Sequence, residues 1–134
     1  MHPHPHPHPH PLLLLLLLLV LPLTHAYSGT LTAYTPSAHS FCGITAHSYD
    51  AVVAISPSMM GGAPPPHNTK CGSIIGIYNP ATGRKHEAYV VDVCAGCGHE
   101  DLQGSQGLFD LVVAGKEAVG GVRGVDWGGE RVGG

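Results

Sequence analysis

Tyr89-Val90-Val91-Asp92-Val93-Cys94-Ala95-Gly96-Cys97-Gly98 reads as a core strand that carries one acid to its end and then turns sharply through two cysteines. Tyr89, Val90, Val91 and Val93 are the aromatic and β-branched residues that fit a pleated, buried surface. A carboxylate among them costs free energy to desolvate unless its surroundings make use of it. Asp92 is therefore the first candidate site residue, and the question is what partners the rest of the chain supplies.

Upstream, Gly29-Thr30-Leu31-Thr32-Ala33-Tyr34-Thr35 alternates as a strand, with Leu31 and Ala33 on one face and Thr30, Thr32 and Tyr34 on the other. Pro36 ends it. A loop over 36–50 leads into Ala51-Val52-Val53-Ala54-Ile55, an apolar run of strand length that reads as buried on both faces. Ser56-Pro57 predicts a capped helical turn through Met60, stopped by Gly61-Gly62. After a proline-rich loop, residues 73–78 and 86–93 flank the turn residues Asn79-Pro80-Ala81-Thr82-Gly83 and are expected to pair as a hairpin. Residues 98–107 read as a polar loop, 111–118 as one or two helical turns, and Val122 to Trp127 as the last strand, with a frayed tail from Gly128. Six short strands are expected, five of them located here. With no long helix and no repeat this is a small all-β domain, and strands buried on both faces suggest a closed barrel.

Residues 1–26 are expected to lie outside that domain. Five His-Pro pairs precede an apolar run of eight leucines, Val20 and Leu21, and Thr24-His25-Ala26 places small residues where a signal peptidase cuts. The run is short for a membrane span and reads as a secretory signal with cleavage after Ala26. The His-Pro tract lacks the usual basic residues and is a low-complexity leader; its imidazoles are an alternative metal-binding feature. A net charge of −3 with no basic patch argues against nucleic acid and anionic membranes as partners. Four cysteines, Cys42, Cys71, Cys94 and Cys97, enter an oxidising compartment, so two disulfides are expected. Cys94-x-x-Cys97-x-His99 is also compatible with zinc, with His86 or another distant residue as a further ligand. His39, His47, His67, His86 and His99 fall mostly in loops and read as surface residues, and Arg84-Lys85 as a solvated hairpin tip.

Taken in order, Gly29-x-x-Thr32-x-Tyr34, Cys42-Gly43, Val52-Val53-Ala54-Ile55-Ser56, Cys71-Gly72, Val90-Val91-Asp92-x-Cys94-x-x-Cys97, Phe109-Asp110-Leu111 and Val125-x-Trp127 form a set that resembles the secreted fungal RlpA-like double-psi β-barrel proteins. That group includes loosenins and other expansin-like single-domain proteins, and the resemblance covers about residues 28–127. It implies a six-stranded double-psi β-barrel with a shallow groove for polysaccharide. It also implies disulfides Cys42–Cys71 and Cys94–Cys97, with no metal and no cofactor. Asp92 matches the acid that ends the fourth main strand in those proteins, and Asp110 the position that serves as general acid in related hydrolases. These two are the candidate catalytic residues, with Thr32 and Tyr34 as candidate substrate-binding residues.

Glycoside hydrolysis needs a protonated acid and a second carboxylate, roughly 6.5–9.5 Å apart when a water must fit between them. The first strand carries Ala33-Tyr34-Thr35 where the hydrolases have a base, so binding and loosening of glycan chains is expected ahead of cleavage. For Asp92 and Asp110 the alternative is capping of backbone N–H groups, for Tyr34 it is barrel packing, and Trp127 reads as core. The expectation is a secreted monomer that engages cell-wall polysaccharide of the cellulose or chitin class. A protein-binding module (protease inhibitor or effector) and a hydrolase or lytic transglycosylase are the alternatives.

Overall fold

A computed structural model of the chain describes Pro3, residues 27–113 and residues 121–129. The expected leader over 1–26, apart from Pro3, the helical reading over 114–118 and the tail beyond Gly129 lie outside the described residues. The elements in chain order are β1 (Tyr27–Ala33), β2 (Val52–Ile55), α1 (Pro57–Met60), β3 (Ile74–Asn79), β4 (Arg84–Val93), β5 (Leu102–Gly104), α2 (Gln106–Val112) and β6 (Val122–Gly129). The six strands close into a barrel in the order β1-β5-β2-β4-β3-β6. β1 with β5 and β2 with β4 run parallel, and the other neighbours are antiparallel. This is the double-psi β-barrel expected from the sequence.

The core follows from strand alternation. Leu31, Val53, Ile55, Ile75, Ile77, Val90, Leu102, Val125 and Trp127 face inward and are buried. Trp127 is thus a core residue, with its indole Nε1 donating to the Glu100 carbonyl at 2.8 Å. A second, outer cluster of Ala46, Val52 and Val91 is packed against by Ile44. This explains why β2 and the middle of β4 read as apolar on both faces: one face is the barrel interior and the other lies beneath the 40–50 loop.

Both helices begin at a fully buried serine. Ser56 accepts from Met59 N at 3.2 Å with Pro57 next in the chain, and Gly61, at φ 76°, ends the turn, as the sequence predicts. The hairpin also forms, with Asn79 opposite Arg84.

Other boundaries differ from the sequence reading. Residues 98–107 are not simply a loop, because they contain β5, wedged between β1 and β2. The helix starts at Gln106, not at 111, because Ser105 is the residue that accepts from Leu108 N. Ala33 is exposed although Leu31 is buried, since the chain leaves the barrel there. Gly128 and Gly129 belong to β6 rather than to a tail.

The cysteines are paired as Cys42–Cys71 and Cys94–Cys97, with S–S distances of 2.08 and 2.04 Å. Gly29 lies so close to the 98–101 turn that a Cβ there would overlap the Glu100 carbonyl.

Two stability predictions follow from this packing. Replacing Cys42 and Cys71 by serine is expected to lower unfolding free energy by about 3–4 kcal/mol in urea titrations, since the bridge closes a 29-residue separation. Gly29→Ala is expected to cost about 1–3 kcal/mol by forcing backbone apart, seen as a lower urea midpoint at unchanged slope.

Candidate functional site

The pairing register builds one polar row across four strands. Thr32 of β1 stands opposite Gln103 of β5, Gln103 opposite Ala54 of β2, and Ala54 opposite Asp92 of β4. Directly paired residues point to the same face of a sheet. Their flanking neighbours Leu31, Leu102 and Ile55 face the core, so the row faces outward. Thr32, Gln103 and Asp92 are half-buried, while Ala54 between them is buried. The row therefore presents an alcohol, an amide and a carboxylate, with one small apolar gap.

Asp92 owes its orientation to a register shift. Val53 pairs with Val90, but the next residue, Ala54, pairs with Asp92, so Val91 is an extra residue in β4. A bulge of this kind re-aims the side chain that follows it. Val91 goes under the outer cluster, and Asp92 comes out beside Ala54 instead of turning into the core. One carboxylate oxygen, Oδ1, accepts from Phe41 N and Val93 N, both at 2.8 Å, so the acid also anchors the start of the 40–50 loop. Phe41 itself is exposed next to it.

Tyr34 follows β1, held by its N–H to the Gly104 carbonyl at 3.0 Å. Its hydroxyl is buried and has no hydrogen-bond partner among the described residues. Burial, and then the negative charge of Asp92, push the phenol up to about 12. The structure thus brings Tyr34 and Asp92 together and places Thr32 on the same wall. The Thr32 hydroxyl donates weakly to the Leu102 carbonyl, at 3.4 Å.

Asp110 lies on the exposed side of α2, where its Oδ1 accepts from Gln106 Nε2 at 2.8 Å. It is not the helix cap; Ser105 is. The sequence reading missed Gln103 because it lies in the three-residue β5. The available signal was Ser105, whose cap fixes where β5 must end.

Beside the row, the Cys94–Cys97 turn is tied down on both sides. Asp101 accepts from Thr30 N at 2.9 Å through Oδ1 and from Gly98 N at 3.2 Å through Oδ2. Ser56 Oγ donates to the His99 carbonyl at 2.7 Å, and Ser58 Oγ lies 2.6 Å from His99 Nδ1. The zinc alternative does not fit this turn: Cys94 and Cys97 are bonded to each other, and the His99 ring is engaged by Ser58. Among the described residues no group of three or more His, Cys, Asp or Glu is arranged to hold a metal ion.

No protein-family model matches the sequence, and no curated protein matches it. The fold is similar to that of a Streptomyces papain inhibitor, with 22% identity and a TM-score of 0.64 over 79% of this chain and 94% of that one. It is also similar to the expansin of Clavibacter michiganensis. A point variant of that protein in complex with cellohexaose gives 20% identity and a TM-score of 0.62, and the apo form gives 21% and 0.63. These matches cover 80% of this chain and 51% of the expansin, so the chain spans about half its length. Likenesses at this level establish the double-psi β-barrel fold.

The orphaned phenol gives two measurable expectations. Removing a buried hydroxyl that has no partner relieves a desolvation cost, so Tyr34→Phe is expected to stabilise the fold by up to roughly 1–3 kcal/mol at neutral pH. A raised folded-state pKa adds stability below the unfolded value of 10.0 that disappears as pH rises through about 12. An ultraviolet difference titration of wild type against Tyr34→Phe is expected to show one phenol ionising near 12, and ionising lower in Asp92→Asn.

Proposed function

We propose that this chain is a secreted, expansin-like protein whose outer polar row binds cell-wall polysaccharide without cutting it. The observation that carries this reading is the residue-to-residue alignment of Thr32, Gln103, Ala54 and Asp92 across four strands. An alcohol, an amide and a carboxylate in line offer donors and acceptors to successive sugar hydroxyls. Ala54 leaves room for the ring, and Tyr34 and Phe41 supply aromatic surface beside Asp92. The likeness to an expansin solved with cellohexaose supports a neutral β-linked glucan, with chitin as the other candidate.

Cleavage needs a second acid across the substrate. Within the row Asp92 is the one carboxylate, and the Gln103 amide neither donates nor takes a proton in general acid–base catalysis. Asp110 remains the only other acid that the sequence reading put forward, and it lies on a different element.

On this reading residues 1–26 are a signal removed after Ala26, and the remaining chain acts outside the cell as a monomer. It needs no cofactor and has neither nucleic acid nor membrane as a partner. The two disulfides accord with an oxidising compartment.

A second reading has its own support. Tyr49 is 77% and Tyr89 54% exposed, His47 stacks on Tyr49 with ring centroids 5.1 Å apart, and a cavity of about 380 Å³ lies between Ile44, Val52, Tyr89 and Val91. Exposed aromatics of this kind suit a protein partner, and one similar structure is a papain inhibitor. Inhibition of papain by the purified protein, lost in Tyr49→Ala or Tyr89→Ala, would establish that role.

The test of the first reading is retention on insoluble cellulose and chitin alongside an assay for released reducing ends. Wild type is expected to be retained with no sugar released. Asp92→Asn and Gln103→Ala are each expected to weaken retention about tenfold, the equivalent of about one hydrogen bond, and Asp110→Asn to leave it unchanged. No retention on any glycan sinks the reading; sugar release that disappears in Asp110→Asn replaces it with a hydrolase.

A further inference from the structure

The barrel's two ends are not alike. One is filled by α2, whose Leu108, Phe109 and Val112 join the core, together with Val113. The other end, where β1 begins, β6 ends and β2 gives way to α1, holds a cavity of about 430 Å³.

Its floor is the inward face of the strands: Ile55, Ile75, Val90 and Trp127 all line it and all belong to the core. One wall is aromatic, with Tyr27 and Trp127 tilted at 40° and 4.7 Å between ring centroids. Because the Trp127 Nε1 is already bonded to the Glu100 carbonyl, the indole needs no polar partner from the cavity. Met59 adds a deformable apolar surface.

The opposite rim is polar. Thr69, Lys70 and Ser73 line it, and among the described residues Lys70 is the one charged residue in the lining. Its backbone is fixed from both sides, with its N–H donating to Asn68 Oδ1 at 2.9 Å and its carbonyl accepting from Ser73 Oγ at 2.7 Å.

Barrel mouths of this size, apolar with a few convergent polar groups, are common sites for small ligands. The geometry points to a second binding site at this mouth, for a small amphipathic anion with a flat apolar body between Tyr27, Trp127 and Met59 and its carboxylate or sulfonate at Lys70. Charge complementarity selects the anion, since a cation on a rim over an apolar floor favours a negative group. Cleavage after Ala26, proposed above, would add the α-amine of Tyr27 to the same mouth as a second positive charge. The site uses the inward face of β2 at Ile55, whereas the polysaccharide row uses its outward face at Ala54, so the two are independent.

Trp127 is the sole tryptophan, which makes the mouth directly readable. Anilinonaphthalene sulfonate titrated into the full-length protein is expected to give saturable energy transfer from Trp127. Cinnamate is expected to displace it more effectively than the uncharged cinnamyl alcohol. Lys70→Glu, an exposed substitution, is expected to weaken both anions about tenfold while leaving cinnamyl alcohol and cellulose retention unchanged. Met59→Phe, which narrows the mouth, is expected to weaken all three small molecules. Absence of saturable transfer, equal displacement by acid and alcohol, or anion binding indifferent to Lys70→Glu would each overturn the assignment.

Discussion

The extra residue in β4 is the constraint on which the site depends. A strand built without it would send Asp92 into the barrel, where an unpaired carboxylate is prohibitively costly. With Val91 inserted, the pairing moves from Val53–Val90 to Ala54–Asp92, and two consecutive residues leave the interior together. One is apolar and needs cover, which Ala46 and Ile44 supply. The other is charged and needs donors, which the Phe41 and Val93 amides supply. The same loop meets both requirements, and Cys42, the residue after Phe41, is bridged to Cys71. Site and scaffold are thus coupled through a few backbone bonds.

The barrel is stiffened by short polar side chains that each make several bonds. Ser105 is fully buried; it accepts from Leu108 N and Val52 N and donates to the Asp50 carbonyl. It therefore caps α2, ends β5 and anchors the entry to β2 at once. Asp101 joins the Cys94–Cys97 turn to β1. Asn79 does the same at the hairpin, with Nδ2 on the Val112 carbonyl and Oδ1 on Ala81 N. In a domain this small such bonds supply definition that a modest core cannot.

How much of this the sequence discloses depends on the range of the signal. Ser56-Pro57 and Asn79 to Gly83 carry their turn chemistry locally, so α1 and the β3–β4 hairpin are readable residue by residue. β5 is not. Leu102-Gln103-Gly104 is too short for alternation to register, and it is a strand only because β1 and β2 sit on either side. Asp92 stands out because an acid in a valine run is costly anywhere. Gln103 does not, because an amide in a polar segment is unremarkable until the register places it beside Thr32. Where Asp110 sits is likewise decided by the cap at Ser105, several residues earlier, and not by its own neighbours Phe109 and Leu111.

The order of strands around the barrel also sets the order in which it can form. β1 is bonded to β5 on one side and to β6 on the other, so the first strand to emerge during synthesis waits for the last ones. The β3–β4 hairpin, by contrast, has its partners within a few residues of each other and can assemble early. Pairings this distant in sequence place the domain among slow-folding topologies, on the order of milliseconds to seconds. Until residues 102–129 arrive, Tyr27 to Ala33 is a strand with two bare edges, the state in which a nascent chain most needs to be shielded from its neighbours.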